Sequence, residues 1–376
     1  MLNSGRNENK KRLLILCQNQ FGYHVDAYYY CKYLKEHFDI TYLGWNHNLP
    51  EISMAEVNVI MVPRTGSVAA RHVRYLSAAL SEIRRGRHDI HFIKYFRACL
   101  LLKILNPQKR YVLDLRSGHI SNQPISRFIF DLVIKGESLF FNNLTVISQS
   151  LAKRFGLAKR ATILPLGADR LSATTKTFES LKLLYVGTLS ERNIHHTLLG
   201  FAKFYNEFKD RLAIHYTIIG AGAHGEEDRL IEIVESEGLS SVVSVLGRIP
   251  HDQLKPYFNE HNVGVSFVPM TNYFDVQPVT KTFEYLLSGM PVIATATSEN
   301  KLVLHENNGV LIEDSPDGFY MGLRLFYERS FSYNSSVISD EASEYRWESI
   351  VDNLGKYLDD ICLLPGGYGS RLMDNS

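Results

Sequence analysis

No stretch of this sequence approaches the roughly 20 apolar residues that a membrane-crossing helix requires, and the run 128–141 is interrupted by Asp131, Lys135 and Glu137. Charge of one sign is lacking as well. The 41 Lys and Arg stand against 40 Asp and Glu, a net charge of +1, which argues against a general nucleic-acid coat, so no nucleic-acid partner is expected. Cysteine is scarce: Cys17, Cys31, Cys99 and Cys362 are scattered with no metal-type spacing, and no signal-peptide pattern precedes the first apolar run. A reducing, cytoplasmic setting is therefore expected. Neither an Asp-x-Asp pair nor a cluster of His, Cys and acid at metal spacing is present, so no metal is expected.

At 376 residues the chain exceeds one ordinary domain and suits two. With 45% hydrophobic and 22% charged residues it can fill two cores. Strand-like apolar runs alternate with amphipathic ones twice over, the pattern of βαβ units and parallel sheets. The first series has strands at 13–17, 40–43, 57–61, 90–93, 111–115, 144–147 and 162–164, with a helix at 25–37; the second has strands at 183–186, 214–219, 242–246, 263–267, 292–296 and 310–312. The expected fold class is α/β: two doubly wound Rossmann-like domains, 1–170 and 181–345, followed by a helix and a Gly-rich tail over 346–376. The unpatterned polar segment 168–180, with Ser172, Thr174, Thr175, Lys176 and Thr177, reads as the linker. Ligands in such folds bind outside the carboxyl ends of the strands, so two domains facing a central cleft would place the site in that cleft.

The most informative stretch is 275–294, which reads as polar loop, short helix, sharp stop and strand. Phe283, Leu286, Leu287 and Met290 recur at the spacing of one buried helical face, leaving Lys281 and Glu284 together on the neighbouring, solvent-facing side. Gly289 ends the helix and Pro291 forbids its continuation. Free N–H groups at a helix entrance, with a lysine in the first turn, suit a phosphate. A carboxylate one turn on accepts two hydrogen bonds and suits a vicinal diol such as a ribose. The competing reading of Lys281 and Glu284 is an ordinary surface ion pair contributing about 0.2–0.5 kcal/mol.

Lys281-x-x-Glu284-Tyr-Leu-x-Ser-Gly289-x-Pro291-Val-Ile-Ala resembles the signature of the retaining, nucleotide-sugar-dependent glycosyltransferases of GT-B fold, in family four, also called glycosyl transferases group one. Tyr185-Val-Gly187-Thr-Leu-Ser-Glu-Arg192-Asn, Ile218-Ile-Gly220-Ala-Gly222, Val245-Leu-Gly247-Arg248 and Asn308-Gly309-Val-Leu-Ile extend the likeness through the second half. The first half matches more weakly, through Ile163-Leu-Pro165-Leu-Gly167-Ala-Asp169, Val146-Ile-Ser148 and Leu113-Asp-Leu-Arg116-Ser. The resemblance implies a GT-B fold whose last helix crosses back to the first domain, and a hexosyltransferase-type enzyme (EC 2.4). Such an enzyme moves a sugar from a nucleotide-diphosphate-sugar to the hydroxyl of a glycan or lipid-linked glycan, with retention, without a metal, and with no cofactor besides the donor. It implies work in polysaccharide biosynthesis, in the cytoplasm or peripherally on the inner face of the cell membrane.

Carried over residue by residue, the resemblance makes Arg192, Lys281 and His119 catalytic. Glu284, Gly187, Gly222, Arg248, Thr280 and Thr282 would bind the donor; Gly22, Tyr23, His24 and Arg116 would bind the acceptor. The sequence departs from the pattern at two places. Thr188 stands where the family commonly has an arginine, and Val276 where it has the first of two glutamates, with Asp275 one residue early.

Three other readings stay open at this level. Gly220-Ala-Gly222-Ala-His-Gly225 follows a strand and spells the dinucleotide fingerprint, but the next strand ends in Gly247-Arg248 rather than in the acid a ribose would need. A nucleotide-sugar epimerase of the same fold and a degenerate scaffold in polysaccharide assembly are the others. Basic residues from Arg71 to Arg110, interleaved with Tyr75, Phe92, Tyr95 and Phe96, also suit an anionic membrane surface or an ordinary solvated helix.

Overall fold

The computed structural model describes residues 10–118 and 124–363. The chain forms two compact units, residues 1–165 with 348–376, and residues 166–347. Unit 1 opens with β1 (Lys11–Leu16), whose last four side chains are fully buried. Such a run fits a parallel strand covered on both faces. It continues through α1 (Val25–Leu34), β2 (Phe38–Asn46), β3 (Val57–Pro63), α2 (Val68–Arg85), β4 (Ile90–Lys94), α3 (Leu100–Leu105), β5 (Tyr111–Leu115), α4 (Pro124–Ser138), β6 (Asn143–Val146), α5 (Gln149–Arg154) and β7 (Thr162–Ile163). The strands pair in parallel in the order β3-β2-β1-β4-β5-β6-β7. The order reverses between β1 and β4, which opens a crevice at their carboxyl ends.

Unit 2 repeats the plan with β8 (Leu181–Val186), α6 (His195–Phe208), β9 (Ile214–Ile219), α7 (Glu226–Ser236), β10 (Val243–Leu246), α8 (Lys255–Glu260), β11 (Val263–Ser266), α9 (Thr280–Leu287), β12 (Val292–Thr295), α10 (Asn300–Val303), β13 (Gly309–Ile312), α11 (Pro316–Arg329) and α12 (Ser335–Glu341). Its parallel sheet runs β10-β9-β8-β11-β12-β13, so the reversal falls between β8 and β11. The last helix, α13 (Trp347–Leu363), returns to unit 1. There Asp359 pairs with Lys11 at 2.7 Å, and Gly355 lies where a Cβ would come within 3.3 Å of Leu34.

Two local readings differ. Helix α1 ends at Leu34, not His37, because Lys35 caps it and the chain turns at once into β2. The polar segment 168–180 is fastened to unit 2 along its length. Ser288 Oγ accepts the N–H groups of Leu171 and Ser172 at 3.2 Å each, and the buried Lys176 ammonium donates to the carbonyls of Phe258 and Asn259. Polar composition marks a linker only where its hydrogen-bonding groups meet water; here they meet α8 and α9.

Candidate active site

The carboxyl ends of β8 and β11 are built by close packing. A Cβ on Gly220 would collide with the Gly187 carbonyl, so the turns after β8 and β9 touch backbone to backbone. Tyr185 Oη donates to the Thr188 carbonyl at 2.7 Å, and the Val186 N–H donates to Tyr285 Oη at 2.9 Å. Tyr285, on α9, is wholly buried against Phe258 and fills the space that Gly264 leaves on β11. The strand end and the helix are thereby held as one piece.

Beyond Gly187 the chain passes through Glu191 (φ 57°) and Asn193 (φ 53°), two left-handed residues on either side of Arg192. Non-glycine residues hold such angles where the surrounding structure imposes them. The turn sets the Arg192 guanidinium 4.1 Å from the ring centroid of Phe274, a cation–π contact. Phe274 belongs to the loop that enters α9, so the turn after β8 and the α9 entrance share one edge.

At that entrance Val279 provides no side-chain cap, and Thr280 is the first helical residue, leaving backbone N–H groups for an anion. Lys281 and Glu284 do not stand open to solvent. The Lys281 ammonium donates to Glu284 Oε2, and His251 Nε2 lies 3.0 Å from Oε1. Glu284 is only 3% exposed; a carboxylate at that depth needs its partners. His251, from the 3₁₀ turn His251–Gln253, escaped sequence reasoning. Its one local signal is the turn-forming Pro250 before it. The hydrogen bond to Glu284 holds its pKa above the usual histidine range, against the opposing effect of partial burial.

Thr282 faces inward, correcting its expected place on the donor. Its hydroxyl is 2.7 Å from Ser266 Oγ and 3.3 Å from Asn300 Oδ1, which ties α9 to β11 and α10. Both oxygens of Asp275 accept from Ser298, at 2.8 Å each, so that carboxylate staples a loop. The turn at Gly222 closes on Glu226, which accepts the His224 N–H at 2.7 Å. Glu226, Glu227 and Asp228 fill the first turn of α7. Three carboxylates at a helix entrance repel a pyrophosphate, which removes the dinucleotide reading. Arg248 is exposed after β10.

In unit 1 the loop after β1 is pinned by buried Gln20, which accepts the N–H groups of His47 and Leu49 at 2.9 and 3.2 Å. Gly22 (φ 87°) lies against Ile52, and the exposed Tyr23 donates its hydroxyl proton to the Pro50 carbonyl at 2.9 Å. His24 caps α1, accepting from the Ala27 N–H, and burial, reinforced by Lys94, lowers its pKa to about 4. Arg116, expected on the acceptor, is instead a buried strut. Its Nε donates to Asp26 at 2.6 Å and its Nη1 to the Leu164 carbonyl at 2.6 Å. Asp114 is buried beside it, accepting from Thr145 at 2.8 Å, and burial raises its pKa to about 6. Lys94, at the end of β4, donates to Asn19 at 3.3 Å. It was not anticipated. His119 lies outside the described residues.

Two doubly wound parallel sheets with a returning last helix are the GT-B architecture, and several solved structures share it over nearly their whole length. Sucrose-phosphate synthase (tll1590) from Thermosynechococcus elongatus is 15% identical, with 94% of this chain and 99% of that one covered and a TM-score of 0.72. Anabaena Alr3699/HepE in complex with UDP is 13% identical, with 93% and 100% covered and a TM-score of 0.70. The structure described as trehalose-6-phosphate from E. coli bound with UDP-2-fluoro glucose is 10% identical, with 95% and 100% covered and a TM-score of 0.68. At such identities the likeness is one of fold. Residues 180–328 match the family described as Glycosyl transferases group 1, and the chain is a glycosyltransferase. No curated protein sequence matches it.

Proposed function

We propose that this glycosyltransferase moves a sugar from a nucleotide-diphosphate-sugar onto a hydroxyl of a glycan or lipid-linked glycan, with retention, and with no metal or other cofactor. The observation that carries the reading is the α9 entrance, where N–H groups without a side-chain cap and Lys281 sit one turn before a buried Glu284. The donor diphosphate draws Lys281 toward its own charge, and the ribose hydroxyls donate to the carboxylate oxygen that Lys281 leaves. His251 keeps the other oxygen, so no buried charge is stranded during the exchange. Arg192 supplies a second cation from the neighbouring turn, standing in for the arginine that Thr188 replaces. As the bond from the anomeric carbon to the diphosphate breaks, these cations and the helix entrance stabilise the departing charge. The acceptor hydroxyl attacks from the same face, and its proton passes to the leaving phosphate. The presence of UDP or a UDP-sugar in two of the structural relatives supports a uridine nucleotide as the first donor to try.

Calorimetry with UDP, GDP and ADP, followed by product analysis with the corresponding sugars, tests this. Saturable binding of one diphosphate that Glu284→Gln weakens is the expected result. Absence of binding by all three would overturn it, while conversion of the donor in the absence of any acceptor would turn the assignment to an epimerase.

A further inference from the structure

On β1 and β2 of unit 1, Arg12 and Asp39 are register partners and Thr41 follows two residues on, so the three side chains share one face of the sheet near its amino end. Helix α2 lies along β2, its Tyr75 donating to the Leu43 carbonyl at 3.0 Å, and it stops at Gly86 (φ 83°). That stop brings Glu82 and Arg85 from the end of the helix, and Arg87 and His88 just after it, round the same cavity of about 570 Å³ as the strand residues. A volume of this size suits a small ligand. The cavity stands at the opposite end of the strands from the crevice after β1 and β4.

Charge and unmet hydrogen bonding identify the ligand. Arg12, Arg85 and Arg87 are exposed, and among the described residues their guanidiniums have neither a hydrogen-bond nor an ion-pair partner. The dipole of α2 accounts for a cation in its last turn, Arg84 as much as Arg85. It does not account for Arg12 or Arg87, which lie outside the helix. Of the two carboxylates on the cavity, Glu82 is engaged by His88 Nε2 at 3.0 Å, and Asp39 is exposed with no partner among the described residues. Three free guanidiniums against one free carboxylate leave an excess of two positive charges, which a phosphomonoester matches with its charge of about −1.5 to −2 at neutral pH. Guanidiniums hold such oxygens bidentately. The acceptors on the cavity suit hydroxyls beside the phosphate. Asp39 can only accept, and the His88 side chain is 7% exposed with its Nδ1 buried and unpartnered; with the Nε2 proton given to Glu82, that nitrogen accepts as well. We propose that this cavity binds a soluble sugar phosphate, the phosphate among Arg12, Arg85 and Arg87 and the hydroxyls on Asp39 and His88. The site goes beyond the transfer reaction and is independent of it.

The test is calorimetry of the full chain in phosphate-free buffer with ribose 5-phosphate and with ribose. Saturable binding of ribose 5-phosphate is expected, and none of ribose. Arg85→Gln/Arg87→Gln should weaken it on the order of 10- to 100-fold while keeping the melting temperature of wild type, because both side chains are exposed and unpaired. Arg84→Gln, in the same turn but off the cavity, should leave binding unchanged. Asp39→Ala should weaken it although it removes a charge of the phosphate's own sign; tighter binding by that variant would overturn the hydroxyl contact and with it the sugar. No saturable binding, an equal loss in Arg84→Gln, or a loss in Glu284→Gln, which would put the ligand at the α9 entrance, would overturn the proposal.

Discussion

Glu284 faces Lys281 and His251, and replacing it by Gln removes a charged partner from both. The expected outcome in an NMR titration of Glu284→Gln is a fall of the His251 pKa toward the ordinary histidine range, since the hydrogen bond to this carboxylate is what raises it. Donor affinity should fall on the order of 10- to 100-fold, as one or two charge-assisted hydrogen bonds of about 1.5–3 kcal/mol would give. A His251 that titrates unchanged would remove the contact from the account. Because the folded pKa of His251 lies above the unfolded value, its contribution to stability is complete below the ordinary histidine pKa and fades as pH rises through the raised one. Asp114 carries the opposite sign. Its folded pKa is about 6 and its ordinary value 3.8, so across that window the unfolded chain has released a proton that the fold retains, and stability falls as pH rises, by up to about 3 kcal/mol. Asp114→Asn keeps an acceptor for Thr145 and should flatten this fall in urea titrations at pH 4 and pH 7. Arg116→Ala strands the Asp26 carboxylate in the interior and should cost about 3–5 kcal/mol in the same assay.

Among the elements, α9 shows how far the sequence reaches. Its start, its apolar side and its stop at Gly289 (φ 70°) were legible from spacing and from one glycine. Its burial was not, because every residue from 282 to 287 is buried and the covering groups come from far along the chain. Tyr345 packs on Phe283 with centroids 4.6 Å apart, Ser339 donates to the Leu287 carbonyl at 2.8 Å, and His251 covers Glu284. Periodicity reports that a helix has an apolar side; it does not report how many neighbours will arrive to cover the polar one. The junction of α9 with β8 rests on Tyr285. Tyr285→Phe leaves the Val186 N–H buried without its acceptor, and a loss of about 1–3 kcal/mol is expected in chemical denaturation; an unchanged midpoint would show that the hydroxyl does not hold the strand end.

At the scale of the molecule, unit 1 is completed by a helix from the other end of the chain. Val351, Leu354, Leu358 and Ile361 of α13 are buried, and each such side chain contributes about 1.5–3 kcal/mol. A chain ending at Arg346 should therefore lose the cooperative unfolding of unit 1, whose stability as an ordinary domain is about 5–15 kcal/mol, and fluorescence-monitored urea titration would reveal it. Retention of that transition would show that α13 is dispensable. Fold class and the order of strands and helices were determined by the sequence alone, because alternating apolar periods and glycine or proline stops are local properties of the chain. So was the likeness carried by the Lys281–Glu284 segment, since it depends on which residues follow one another. The pairing of Glu284 with His251, the inward turn of Thr282, the strut formed by Arg116 and the cavity that gathers Arg12, Arg85 and Arg87 were decided only by tertiary structure. Whether a charge is paired or left free depends on what distant segments bring against it, and no local spacing carries that information.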